Sequence, residues 1–204
     1  MSYGSSGNFY QQLQNGAPFD VFLSANVDYP KRLQAAGLVT NGSYYEFARG
    51  SIVLLVRSNS TLDLKTGLRV LTQAKVTKVA IADPGHAPYG LAAIAALKSE
   101  GLYQPVQSKL VTGENVSQAA SFVFSGAADA GIVAKSLALS PFADWRVRFV
   151  EVPAGDYPPL LQAMVALKSS KNQWGAAKFE SFMRGSDAKT ILKQFGFEVP
   201  EGER

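Results

Sequence analysis

Residues 76–101, VTKVAIADPGHAPYGLAAIAALKSEG, contain a complete strand–turn–helix unit. The stretch from Val76 to Ala82 predicts a strand, which ends at Asp83-Pro84-Gly85. From Tyr89 to Glu100 the apolar residues recur at helical spacing, and Gly101 stops the run. A strand followed by a helix in this way is the repeating unit of α/β proteins with largely parallel sheets.

Strands and helices alternate along the rest of the chain in the same way. Residues 52–56 form an apolar run, as expected for a strand whose two sheet faces are both covered. Residues 146–152 alternate polar and apolar side chains, which predicts an edge strand. The remaining predicted segments are strands at 20–25 and 131–134, an apolar run at 160–167, and helices at 30–36, 113–126, 173–183 and 187–194. The expected fold class is therefore α/β.

The composition excludes several classes of function. The net charge is only +4, and the lysines and arginines are scattered rather than clustered, so no nucleic-acid partner is expected. No apolar stretch approaches the roughly 18 residues that a membrane-spanning helix needs. Cysteine is absent and His86 is the single histidine, which argues against a thiolate or histidine metal site. Residues 1–7 have neither the charged nor the apolar region of a secretory signal peptide, so none is expected in this chain.

Three segments place the N-terminus of a predicted helix where an anion can bind. Gly4-Ser5-Ser6-Gly7 precedes a helix, and residues 83–90 and 113–116 each join a strand to a helix. The unpaired N–H groups and the positive dipole at such helix ends favour an anion, and serine hydroxyls add further donors. Taken singly, each motif is equally an ordinary helix start; the serine loop alone is more simply interpreted as an N-cap.

The donors together predict a ligand of a particular kind. Hydrogen bonds to a charged group contribute about 1.5–3 kcal/mol each. Five or six of them, less the cost of ordering the site and desolvating the anion, reach micromolar affinity, about −8 kcal/mol. A site with donors and no acceptor favours a fully deprotonated dianion over protonated phosphate.

The enzyme alternative is a hydrolase that uses Ser5 or Ser6 as its nucleophile. Neither serine lies in a Gly-x-Ser-x-Gly elbow. His86 is the one candidate histidine base, and the sequence pairs it with neither a nucleophile nor an orienting carboxylate, so it is interpreted as structural. No catalytic residues are therefore predicted.

Taken together, these motifs resemble the molybdate-binding receptors of bacterial ABC transporters, which have the type II periplasmic binding fold. The segment at 16–25, GAPFDVFLSA, is similar to the family's "GAPADVFLSA". Residues 82–90 are similar to its "DPxHxPAG" segment, and residues 113–133 to its "AEDV…G…GIV" region. The resemblance runs along essentially the whole chain.

The resemblance implies two α/β lobes with mostly parallel sheets and an oxyanion bound between them. It implies lobes of residues 1–56 with 158–204 and of residues 57–157, which close over the anion by a hinge motion. Transferred by position, Ser6 supplies hydroxyl and amide donors, and Tyr89 and Val116 supply backbone amides. The neighbouring Ser5 is a further candidate.

The resemblance also implies a biological setting. The ligand is molybdate or tungstate, bound as an oxyanion with no cofactor and no direct cation site, and the partner is the membrane permease of an ABC transporter. The protein is expected to act in the periplasm as a monomer. The alternative is the same fold with sulfate, phosphate or a small organic anion as its ligand.

Two features depart from the family pattern. About thirty residues that form a strand, a serine-containing turn and a helix ahead of the Gly-Ser-Ser segment are absent, which predicts an exposed sheet edge in the first lobe. Some members have a tyrosine directly after "GIV", whereas this chain has Ala134, followed by Lys135 and Ser136.

Overall fold

The computed structural model describes residues 1–200, with Asp144 described by its backbone alone. The chain forms two compact units. The first contains residues 1–50 and the chain from Leu160 onward, and the second is Ser51–Pro159. No helix among the described residues combines the length and the apolar character needed to cross a membrane.

Helices and strands alternate along the described chain. Their bounds are α1 (Ser6–Gln14), β1 (Val21–Ser24), α2 (Asp28–Ala35), β2 (Tyr45–Gly50), β3 (Ile52–Arg57), β4 (Val79–Ala82), α3 (Pro88–Ser99), α4 (Tyr103–Val106), β5 (Leu110–Gly113), α5 (Val116–Ser125), β6 (Ala130–Ala134), α6 (Lys135–Ala138), β7 (Val147–Glu151), β8 (Leu160–Ala166), α7 (Gln173–Arg184) and α8 (Ser186–Gln194). Short 3-10 helices lie at Leu64–Thr72, Gln107–Lys109, Asp144–Arg146 and Ala154–Asp156.

The first unit is built on a three-stranded sheet in the order β1-β8-β2, with both neighbouring pairs antiparallel. One apolar cluster joins Phe22 of β1 to Leu13 of α1 and Leu33 of α2. A second cluster joins Met164 of β8 to Met183 of α7 and to residues of α8. Because successive side chains of a strand point to opposite faces, this sheet is covered by α1 and α2 on one face and by α7 and α8 on the other.

The second unit is built on a five-stranded mixed sheet in the order β5-β4-β6-β3-β7. The pairs β4–β5 and β4–β6 are parallel, whereas β3 pairs antiparallel with β6 and with β7. Strand β3 is apolar and fully buried up to Val56, and β7 is an edge strand, as the sequence predicts. Helix α5 packs on this sheet through Ala119, Ala120 and Val123.

The α/β class predicted from the sequence is confirmed, and the structure adds elements that the pattern did not predict. Strand β2, YEFARG, mixes charged and apolar residues and therefore has no clear period. Strand β4 begins at Val79 rather than Val76. The Asp129 carboxylate accepts hydrogen bonds from the N–H groups of Thr77 and Lys78, which holds these residues in a loop.

Candidate functional site

In the first unit, the Gly-Ser-Ser segment forms the N-terminus of α1, as predicted. Ser5 is the N-cap residue, and its buried Oγ accepts a hydrogen bond of 3.3 Å from the N–H of Asn8. The next two N–H groups, of Ser6 and Gly7, belong to the first turn, where a helix offers no carbonyl partner. No acidic residue lies in this turn. The helix end therefore keeps its positive character for an anion.

Ser6 joins this helix end to the strand that follows it in the chain. Its hydroxyl oxygen accepts a 3.0 Å hydrogen bond from the N–H of Ala25, directly after β1. Ser6 is 7% exposed. A hydroxyl that accepts through its oxygen still has its own proton to donate, so Ser6 can also donate to a ligand. Ala25 was not predicted from the sequence, because the bond spans nineteen positions and local pattern does not show it.

In the second unit, Tyr89 lies at the start of α3, directly beyond the end of β4. Pro88 occupies the first helical position and has no N–H, so Tyr89 provides the first N–H of the helix. A Cβ on Gly90 would lie 2.8 Å from the carbonyl carbon of Ala82 and 2.9 Å from the nitrogen of Pro84. Only glycine therefore allows the first turn of α3 to approach the strand end so closely.

The turn between β4 and α3 is organised by Asp83. Its Oδ1 accepts a 2.8 Å hydrogen bond from the N–H of Gly85, and its Oδ2 lies 3.2 Å from Nε2 of His86. Its backbone carbonyl accepts from the N–H of Ala87 at 2.9 Å. The sequence interpretation that no carboxylate accompanies His86 was wrong, because Asp83 lies three residues before it. The contacts of Asp83 nonetheless give the pair a structural role, since they hold the turn that positions Tyr89.

Val116 occupies the first position of α5, where a capping arrangement sets the helix start. The Asn115 side chain accepts a 3.0 Å hydrogen bond from the N–H of Gln118, and the Gln118 side chain accepts from the N–H of Glu114. A Cβ on Gly113 would lie 2.7 Å from the nitrogen of Ala119. This glycine therefore places α5 against the end of β5 as Gly90 places α3 against β4.

The two helix starts of the second unit lie at the same edge of its sheet. Strands β4 and β5 are parallel neighbours, and Ala82 pairs with Gly113 at their ends. The N–H of Asp83 donates a 2.8 Å hydrogen bond to the carbonyl of Gly113. Adjacent carboxyl ends of parallel strands are where open α/β sheets bind ligands. The structure thus brings the starts of α3 and α5, with Tyr89 and Val116, to one edge.

Ala134 ends β6, which is parallel to β4, and so belongs to the same edge. Ala134 is buried, and its side chain offers no hydrogen bond to a ligand. The Nζ of the adjacent Lys135 lies 2.5 Å from a carboxylate oxygen of Glu151. This ion pair directs the lysine toward β7.

The candidate donors are electrically neutral. None of the first turns of α1, α3 and α5 contains an acidic residue. Backbone N–H groups and serine hydroxyls provide directed donors, and the helix ends add a partial positive charge. Within residues 1–200, no group of three or more histidine, aspartate or glutamate side chains is placed to hold a metal ion.

Comparison with known proteins extends over nearly the whole chain. A family model described as bacterial extracellular solute-binding protein matches residues 1–198. The molybdate-binding protein ModA of Rhodobacter capsulatus is 35% identical over 198 residues, which are 96% of this chain and 75% of that protein. ModA of Azotobacter vinelandii is 35% identical over 201 residues, 96% of this chain and 77% of that protein.

A solved structure is similar along nearly the whole chain. The Azotobacter vinelandii periplasmic molybdate-binding protein matches with a TM-score of 0.90 and 36% identity, over 98% of this chain and 87% of that one. The fold and the family indicated by the sequence motifs are thereby confirmed. The assignment of Ser5, Ser6, Tyr89 and Val116 as ligands stays a prediction.

Proposed function

Because the chain belongs to the family of bacterial extracellular solute-binding proteins, we propose that it captures molybdate or tungstate for an ABC transporter. Two relatives that are 35% identical to it are named as molybdate-binding proteins, and both matches span 96% of this chain. The chain's own residues support an oxyanion ligand independently of those names, through the helix ends described above.

The proposal rests on the N-termini of α3 and α5, which lie close to the ends of β4 and β5 because glycine occupies the contact positions. Gly90 and Gly113 each allow a first turn to approach a strand end more closely than any other residue would. The backbone amides of Tyr89 and Val116 belong to these turns. In the proposed function, they donate hydrogen bonds to the oxygens of the anion. In the first unit, the hydroxyls of Ser5 and Ser6 and the first amides of α1 are likewise proposed as donors to an oxyanion.

The chemistry of these donors favours a particular charge state. Molybdate and tungstate are fully deprotonated dianions at neutral pH and need donors alone. Phosphate keeps a proton at that pH, and this proton would face donors without an acceptor, which is unfavourable for a buried polar group. Sulfate has the same charge and shape as molybdate but shorter bonds. Discrimination against sulfate therefore depends on the size of the site.

The neutral donors also favour release of the bound anion to the transporter. An anion bound by amides and hydroxyls forms no salt bridge with lysine or arginine, so it can leave without breaking a strong ion pair. We propose that the partner is a membrane permease and that the protein works in the periplasm as a monomer, with no cofactor and no catalytic role. The chain passes between the two compact units at residues 50–51 and again at residues 159–160.

Calorimetric titration with molybdate, tungstate, sulfate and phosphate in matched buffers tests the proposal. We expect micromolar or tighter binding of the first two anions, about −8 kcal/mol or more favourable. Tight sulfate or phosphate binding without a molybdate response would replace the ligand and keep the oxyanion receptor. No heat with any of the four anions, from protein shown to be folded by circular dichroism, would refute the oxyanion assignment.

A further inference from the structure

Asn41 and Gly42 form the tip of an exposed turn between α2 and β2 in the first unit. The N–H of Ser43 donates a 3.1 Å hydrogen bond to the carbonyl of Thr40, which closes the turn. Gly42 has a φ of 76°, a positive value that glycine adopts readily at the second central position of such turns. Both central residues are exposed, so water reaches the Asn41 side chain and the backbone that follows it.

The ends of this turn are held against β8. Ser43 is buried, and its hydroxyl donates to the carbonyl of Thr40 at 2.7 Å and accepts from the N–H of Ala166 at 3.1 Å. The N–H of Thr40 donates to the carbonyl of Ala166 at 2.8 Å. Arg184 of α7 donates to the carbonyl of Gly42 at 3.4 Å. The tip of the turn is therefore open to solvent, whereas both of its ends are fixed to the sheet.

We propose that Asn41 is a site of spontaneous deamidation, with the backbone nitrogen of Gly42 as the nucleophile. This nitrogen gives its proton to hydroxide and attacks Cγ of Asn41. The N–Cγ bond forms and the bond from Cγ to Nδ2 breaks, so the side-chain nitrogen leaves as ammonia and takes a proton from water, which regenerates the hydroxide. The product is a five-membered succinimide ring. Water then opens either ring carbonyl and leaves aspartate or isoaspartate at position 41.

The turn leaves the attacking nitrogen accessible. The hydrogen bond that closes the turn uses the N–H of Ser43, and the N–H of Gly42 donates to no acceptor among residues 1–200. A Cβ added at Gly42 would meet no atom within 4 Å, so the tip has space for the ring to form. Attack by this nitrogen therefore begins without the loss of a hydrogen bond within the described chain.

A second Asn-Gly pair, Asn15-Gly16, has different surroundings. Asn15 is also exposed, but it is the C-cap residue of α1. The N–H of Gly16 donates to the carbonyl of Leu13 at 3.1 Å, and the N–H of Ala17 donates to that of Gln12 at 3.0 Å. Ring closure requires the asparagine Cβ to lie in the plane of its carbonyl group and the next nitrogen. At a ψ of 12°, the backbone nitrogen of Asn15 lies near that plane instead, so the end of α1 must unwind before the ring can form.

Mass spectrometry of the aged 204-residue protein measures both sites in one experiment. Trypsin cleaves after lysine and arginine, so it separates Asn15, in residues 1–31, from Asn41, in residues 33–49. The readout is the mass gain from exchange of –NH2 for –OH, and labelling by an isoaspartyl methyltransferase identifies isoaspartate. Each of the two hydrogen bonds that must break at the end of α1 is equivalent to about a two- to tenfold factor in rate. We therefore expect Asn41 to react about fivefold faster than Asn15, or more.

The same measurement in urea separates the effect of the fold from that of the Asn-Gly dipeptide. Both pairs lose their surroundings in the unfolded protein, so their rates should become nearly equal. Asn41→Gln, whose longer side chain would have to form a larger ring, should abolish the reaction at position 41 and leave that at position 15 unchanged. Equal rates at the two sites in the folded protein, a faster reaction at position 15, or a ratio that persists in urea would overturn the proposal.

Isoaspartate at position 41 has a structural consequence that aspartate lacks. Its backbone runs through the side-chain carbon, which adds an atom to the turn between the carbonyl of Thr40 and the N–H of Ser43. We expect loss of that hydrogen bond, so aged protein enriched in isoaspartate should unfold at a lower urea concentration than the Asn41→Asp variant. Equal unfolding of these two forms would contradict this consequence. No anion takes part, so the outcome is separate from that of the proposed function.

Discussion

Replacing Gly90 by alanine tests whether the close approach of α3 to β4 serves the ligand. The new Cβ would lie 2.8 Å from the carbonyl carbon of Ala82 and closer still to its oxygen, whereas ordinary contacts begin at 3.4 Å, so the first turn must move by about 1 Å or more. A hydrogen bond of about 2.9 Å lengthened by that amount is no longer effective. We therefore expect loss of the hydrogen bond from Tyr89 to the anion.

The magnitude follows from the energy of that bond. A hydrogen bond to a charged group contributes about 1.5–3 kcal/mol, so molybdate should bind about 10- to 150-fold more weakly. Overpacking destabilises a protein by about 1–3 kcal/mol, and the better helix propensity of alanine offsets up to about 1 kcal/mol of this. Unfolding of the second unit should therefore require less denaturant by a small margin, with the variant still folded.

The matched control is Gly155→Ala in the same unit, where an added Cβ meets no atom within 4 Å. Calorimetric titration with molybdate gives the affinities, and urea unfolding gives the stabilities of both variants. Wild-type affinity in Gly90→Ala would refute the role assigned to this helix start. Equal weakening in Gly155→Ala would show that the effect has no connection with the approach of α3 to β4.

Two further predictions concern one serine in the first unit and one carboxylate in the second. Ser6→Ala removes the acceptor for the N–H of Ala25 and a proposed ligand donor. We expect an unfolding free energy lower by about 1–3 kcal/mol and weaker molybdate binding, with exposed Ser181→Ala as the neutral control. Burial alone would raise the pKa of Asp129, but the N–H groups of Thr77 and Lys78 and the Thr77 hydroxyl lower it overall. Because the pKa of this aspartate is lower in the folded state, its ionised carboxylate stabilises the protein at pH values above the unfolded-state pKa, near 3.9. This stabilisation is lost as the pH falls through the folded-state pKa. Asp129→Asn should therefore be less stable than the wild type at pH 7, and the difference should shrink in acid.

The outcomes that contradict these two predictions are distinct. Molybdate affinity unchanged in Ser6→Ala would remove this serine from the proposed ligand set, whatever its effect on stability. A stability difference for Asp129→Asn that stays constant from pH 7 to about pH 3, measured by urea unfolding, would show that the carboxylate charge does not stabilise the loop before β4.

The sequence pattern predicted those helices and strands whose apolar residues recur with a clear period. The apolar run at 52–56 and the helical spacing after Tyr89 each reflect burial by a regular element, and both elements are present. The helix starts at Ser5, Tyr89 and Asn115 were also predictable, because serine, proline and asparagine have specific roles in the first turn. Strand β2 was missed, because its residues show no period and pairing with β8 forms it.

The contacts that shape the candidate site were less accessible from the sequence. Ser6 and Ala25 are nineteen positions apart, so only folding brings them together. Asp83 and His86 are close in sequence, yet the geometry of the turn decides whether their side chains meet. The sequence shows glycine at positions 90 and 113 but does not show why glycine is needed there. That reason depends on which atoms of another element lie where a Cβ would be.

The sequence by itself determined the α/β class, the anion-binding character of three helix starts and the family resemblance, because these depend on local period and on motifs of a few residues. The tertiary structure decided which strands are neighbours and which helix starts share a sheet edge. These properties come from packing between segments far apart in the chain, and packing depends on the shapes of both partners, which no local pattern contains.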